Sequence, residues 1–132
     1  MRYFKFTKLV RDKIVEHMKS NNQESFGVRV LDNEEYIKEL SKKVIEEAQE
    51  LDNVTNLEEL KEELADVQEV MDYLRKALGM SDEDIKKYQE KKIEKNGGFD
   101  SKFFVDHVGV EDDNQWLDYY LKNPNKYPEI KK

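Results

Sequence analysis

The sequence predicts a mainly α-helical fold built around a four-helix bundle, with at most a small β accessory. Three observations predict it. Long stretches place apolar residues three and four apart, the period of one helix face. Residues suited to capping precede these stretches, and Asn or Gly follows several of them. Alternating, strand-like runs are confined to short segments near residues 3–6, 27–31 and 99–105.

Residues 3–6 are short and aromatic and read as an edge strand. Thr7 is placed to cap a first helix ending near Ser20, with Val10, Ile14 and Met18 on one face. His17 falls on that same face and reads as a core histidine. Asn21 and Asn22 end the helix, and residues 27–31 suit a strand paired with the first. Asn33 caps a second helix reaching about Asp52, with an apolar stripe of Ile37, Leu40, Val44, Ala48 and Leu51. Asn56 and Glu59 make a capping-box-like start to a third. Its stripe is Leu57, Leu60, Leu64, Val67, Met71, Leu74 and Leu78, and Gly79 stops it. Ser81, with Asp84 three residues on, opens a fourth helix that ends at Asn96-Gly97-Gly98. Residues 1–105 read as one all-α domain. Residues 106–132 read as a C-terminal extension with one short aromatic helix near 115–121, packed on the domain or on a neighbouring subunit.

Composition sets the outer limits. Apolar residues make up 37 % of the chain and charged residues 40 %, so the core is thin for 132 residues. Such a chain is expected to finish burying its stripes as a homodimer or homotetramer. No run of eighteen apolar residues and no signal-peptide pattern occurs, which points to a cytoplasmic protein off the membrane. With no cysteine, disulfides, thiolate metal sites and cysteine nucleophiles are excluded. A net charge of −7 argues against nucleic acid as a partner. A nucleotide substrate stays open, because cations bound at clustered carboxylates invert the local field.

Two acidic patches carry the functional signal. Glu47 and Glu50 on the second helix, and Glu63 and Asp66 on the third, each stand three residues apart, which brings side chains together on one helix surface. Spacing alone decides little, since 30 of 132 residues are acidic. Rotational phase decides more. At 100° per residue, Glu47 and Glu50 lie roughly 60° and 120° from the centre of their stripe, and Glu63 and Asp66 roughly 70° and 130° from theirs. The sense of rotation is the same in both. A connection of about five residues makes the helices antiparallel neighbours, so offsets of equal sign put all four carboxylates on one side of the hairpin. Glu46 and Glu62 point away and read as solvated. Lys43, four residues before Glu47, leaves a local ion pair open as the bland alternative.

Four converging carboxylates make an all-oxygen site suited to Mg²⁺, with Mn²⁺ as a second choice. Di-iron and zinc are disfavoured, because neither His17 nor His107 stands in a Glu-x-x-His motif. An EF-hand reading near Asp82 fails, since Lys87 stands where the loop glycine belongs.

The pattern Glu-x-x-Glu, a gap, then Glu-x-x-Asp on a helical hairpin resembles the MazG-like all-α nucleoside triphosphate pyrophosphohydrolases. Residues 8–14 (Lys-Leu-Val-Arg-Asp-Lys-Ile) resemble the N-terminal signature of their phosphoribosyl-ATP pyrophosphohydrolase-like subgroup, and residues 92–99 (Lys-Ile-Glu-Lys-Asn-Gly-Gly-Phe) its closing motif. The chain departs from that subgroup at Val15, where proline is usual, and at His17, where an aliphatic residue is usual. The resemblance covers about residues 3–105. It implies Mg²⁺-dependent hydrolysis of a nucleotide between the α and β phosphates, with Glu47, Glu50, Glu63 and Asp66 as the metal ligands. Glu47 or Glu46 would take the proton from the attacking water. Lys92 and Asn96 of the closing motif, and Lys8, Arg11 and Lys13 of the first, would contact the substrate. Phosphoribosyl-ATP as substrate, or a catalytically silent helical module binding a nucleotide or a protein, are the alternatives.

Overall fold

The computed structural model describes residues 1–131. It contains five helices and, among the described residues, no strand: α1 (Ile14–Ser20), α2 (Asn33–Asn53), α3 (Leu57–Ala77), α4 (Asp82–Asn96) and α5 (Leu117–Leu121). The chain divides into two compact units, Met1–Lys92 and Ile93–Lys132, with the division inside α4. Among the described residues, no helix is long and apolar enough to cross a membrane.

In the first unit, local chemistry sets the helix ends. The Asp32 side chain accepts from the amide of Glu35 at 2.9 Å, so the cap of α2 is one residue earlier than the sequence suggested. Asn56 accepts from Glu59 N at 2.9 Å and starts α3 as expected. Gly79, at φ +71, closes α3, and the amide of Met80 returns to the Arg75 carbonyl at 3.0 Å. At the start of α4, Ser81 and Asp84 exchange bonds: Ser81 N donates to Asp84 Oδ2 at 2.9 Å, and Asp84 N donates to Ser81 Oγ at 3.2 Å. Arg75 braces the α3–α4 turn by donating to the Met80 carbonyl at 2.8 Å and lying 3.2 Å from Asp82.

Only residues 54–56 join α2 and α3, which makes them antiparallel neighbours. Among the described residues they are the one pair of helices with backbones in contact. Leu40 (3 % exposed) and Val70 (9 %) are the buried core, one from each helix. Val70 was no part of the expected α3 stripe. It lies about 20° from Glu63 around the helix, seven residues on, so the face that meets α2 is rotated from the heptad stripe toward the acids. Val67 and Leu74, the edge of the stripe next to Val70, are half-buried with it, and the other members stand farther round the helix. As a result Leu57, Leu60, Leu64, Met71 and Leu78 are between 41 % and 65 % exposed.

Three expectations are corrected. The strands near 3–6, 27–31 and 99–105 do not form. Tyr3 and Phe26 bring the first two segments together through their rings, 5.8 Å apart, without a backbone ladder. Lys102, at φ +59, folds residues 99–102 into a turn closed by Lys102 N donating to Phe99 O at 3.1 Å. The first helix starts at Ile14 rather than near Thr7, whose φ of +46 is incompatible with an extended N-cap. His17 is exposed, not a core residue.

In the second unit, α5 begins at Leu117 and carries an aromatic pile. Tyr119 lies 5.9 Å from Trp116, 5.7 Å from Tyr120 and 5.7 Å from Tyr127 between ring centroids, and Tyr120 meets Tyr127 edge-on at 5.1 Å. Upstream of it, Phe99, Phe103 and Phe104 are at least 90 % exposed.

Candidate metal centre

The hairpin brings Glu47, Glu50 and Glu63 together: one carboxylate oxygen from each lies within 4.8 Å of the others. The rotation of α3 is responsible, because it carries Glu63 from the flank toward the seam with α2. Glu47 and Glu63 are half-buried and Glu50 is exposed. One oxygen of Glu63, Oε2, is shut off from solvent and has no hydrogen-bond partner among the described residues. A buried carboxylate oxygen without a donor is unfavourable, and a bound cation is one of the few groups that would satisfy it.

The electrostatics agree with the geometry. Burial pushes the Glu47 carboxyl above its ordinary range, the Glu50 charge pushes the same way, and Lys43 only partly opposes them. Burial also raises Glu63, followed by the charges of Glu50 and Asp66. Three oxygens at this separation are short of positive charge. They fit a hard divalent cation, for which carboxylate oxygens are the preferred donors.

Asp66, the fourth expected ligand, is engaged elsewhere. Its Oδ1 lies 3.2 Å from Arg11 Nη2, and Arg11 Nη1 lies 2.7 Å from Glu69 Oε1. Glu46, expected to be solvated, is half-buried and accepts from Lys8 Nζ and Lys43 Nζ, each at 3.3 Å. Burial alone would raise its pKa, but the two ammonium groups outweigh burial and hold it low. The Lys43–Glu47 ion pair left open by the sequence exists, at a longer 3.9 Å.

Of the expected substrate contacts, Lys8 and Arg11 thus reach the edge of the acidic cluster. Lys13 and Lys92 are exposed and form no ion pair among the described residues, and Asn96 ends α4 in the second unit. Sequence reasoning missed Glu69 as the anchor of Arg11. Its spacing carried a signal, since it continues the Glu63/Asp66 row by three more residues. No protein-family model, curated protein or solved structure matches the chain.

Proposed function

We propose that the chain is a Mg²⁺-dependent hydrolase that splits a nucleoside triphosphate, or a related nucleotide, between its α and β phosphates. The observation that carries this reading is the Glu47–Glu50–Glu63 cluster with its sealed, unpartnered Glu63 oxygen. The three ordered motifs resembling the MazG-like pyrophosphohydrolases give that generic cation site its reaction. Removal of non-canonical nucleotides is the biological role that such chemistry suits.

Glu47, Glu50 and Glu63 would hold the cation, with Asp66 available as a fourth ligand once Arg11 lets go. Bound there, Mg²⁺ would offset phosphate charge and favour attack by water. Glu47 is the better placed of the two proposed bases, because its raised pKa brings it closer to the working pH than Glu46. Glu46 instead anchors Lys8 beside the cluster. One water adds across the anhydride bond, leaving a nucleoside monophosphate and pyrophosphate.

A homodimer belongs to the same proposal. The exposed stripe Leu57, Leu60, Leu64, Met71 and Leu78 keeps a/d spacing over three heptads. Two copies joined through it would complete a four-helix bundle from two hairpins. A specific interface of this kind should bury at least about 1,000 Å² in total.

Pyrophosphate release from a panel of standard and modified nucleoside triphosphates, with and without Mg²⁺, tests the activity. Cleavage of phosphoribosyl-ATP alone would move the substrate to that compound. No turnover of either, with melting unchanged by Mg²⁺, would make the chain a silent module.

A further inference from the structure

One contact in the first unit ties the acidic hairpin to a segment far away in sequence. Arg11 lies 55 residues before Asp66, ahead of α1, and its guanidinium spans Asp66 and Glu69 on successive turns of α3. A planar fork of five donors can hold two carboxylates at once, which a lysine ammonium does less well. Asp66 is the carboxylate that spacing groups with Glu47, Glu50 and Glu63, yet its oxygens stand outside the three-acid cluster. Arg11 also senses the cluster itself: hydrogen bonding to Glu69, the main cause, raises its pKa, and the charges of Asp66 and Glu47 add to the effect.

We propose that Arg11 is a tethered counter-ion of the cation site, a positioning residue that holds Asp66 away from Glu47, Glu50 and Glu63 until a divalent cation displaces it. The inference rests on the cation-site reading above. Arg11 and the cation compete for one acidic field, so each weakens the hold of the other. Glu69 makes the exchange reversible. When Asp66 turns to the cation, Arg11 keeps Glu69 as a partner, and only the 3.2 Å contact has to break. Both partners are partly exposed, so the contact that must break is a weak one. A purely structural tie has the opposite signature, because cutting it would loosen the rim of the hairpin and leave cation affinity unchanged or weaker.

The test titrates the whole chain and its variants with Mn²⁺ alone, following free Mn²⁺ by electron paramagnetic resonance and helicity by circular dichroism. Arg11→Gln should bind Mn²⁺ roughly 5- to 10-fold more tightly than the wild type, the lower range of couplings between interacting sites. Arg11→Lys, which keeps the charge but loses the fork, should fall between them. In an Asp66→Asn background the gain from Arg11→Gln should shrink, since no ligand remains to be released. Binding by Arg11→Gln when the wild type binds none would also support the proposal. A folded Arg11→Gln with affinity equal to or below the wild type would overturn it. Should that variant fail to fold, Arg11→Lys decides by the same comparison. If no folded variant binds Mn²⁺, the cation-site reading itself falls, and the role of Arg11 with it.

Discussion

Glu50→Gln should reverse the order of stability between variant and wild type according to whether divalent cation is present. Glu50 and Glu47 have oxygens within 4.8 Å of each other, and Glu50 is exposed, so the water-like limit of Coulomb's law applies. At that separation two unit charges repel by about 1 kcal/mol in water. Glu63 adds repulsion in the same direction. Without metal, the glutamine variant should therefore be more stable than the wild type by about 1 kcal/mol, a rise in Tm of roughly 3 °C for a domain of this size. With cation at a hundred times its Kd, the wild type gains about 2.7 kcal/mol by mass action. The variant, short of one ligand, gains much less. Melting followed by circular dichroism in EDTA and then in Mg²⁺ or Mn²⁺ should show the two curves change places. If Glu50→Gln melts below the wild type in EDTA, the three carboxylates do not repel and the electrostatic reasoning is wrong. If it is stabilised by Mg²⁺ as much as the wild type, Glu50 is not a ligand.

Acidity should act on the same groups. Glu47 and Glu63 have folded pKa values raised above the ordinary 4.5, so their contribution is intact below that value and lost as pH rises through the folded pKa. Glu46, held low, acts in the opposite sense: its contribution is present above 4.5 and is lost only as pH falls below that value. The metal-free protein should thus melt higher near pH 5 than near pH 7, and Mg²⁺ should cancel the difference; a Tm in EDTA that rises from pH 5 to pH 7 would contradict the shifts. Leu40→Ala removes half of the buried core and should cost at least about 2 kcal/mol in urea unfolding, with a loss under half of that arguing that the hairpin is held elsewhere. Leu64→Glu, on the exposed stripe, should give a monomer by light scattering where the wild type gives a dimer, while leaving helicity unchanged.

The elements that the sequence made legible are those whose ends are decided locally. The Asn56–Glu59 and Ser81–Asp84 caps and the left-handed Gly79 need only residues three or four apart, and all three form as read. Helical phase likewise places Glu47, Glu50 and Glu63 on one side of the hairpin, where their oxygens meet. What escaped depends on distant partners. Alternation in residues 3–6 and 27–31 says which faces a strand would have, but not that a second strand will supply its hydrogen bonds. The start of α1 was lost because residues 8–11 reach the hairpin through Lys8 and Arg11, contacts 38 and 55 or more residues long. The tie from Asp66 to Arg11 was hidden for the same reason, the arginine lying on another segment. The rotation of α3 was hidden by hydrophobicity itself: the leucine stripe outweighs a single valine in the pattern, yet Val70 is the residue of α3 that becomes buried.

The aromatic pile of the second unit has a practical consequence for reading any of these melts. Trp116 is the sole tryptophan of the chain, and its ring sits 5.9 Å from Tyr119. Intrinsic tryptophan emission therefore reports on α5 and its tyrosines, while most of the far-ultraviolet helical signal comes from α2 and α3. The two signals amount to a built-in pair of local reporters. Coincident transitions would mean the chain unfolds as one cooperative body, and separated ones that the acidic hairpin can open while the tail keeps its own order.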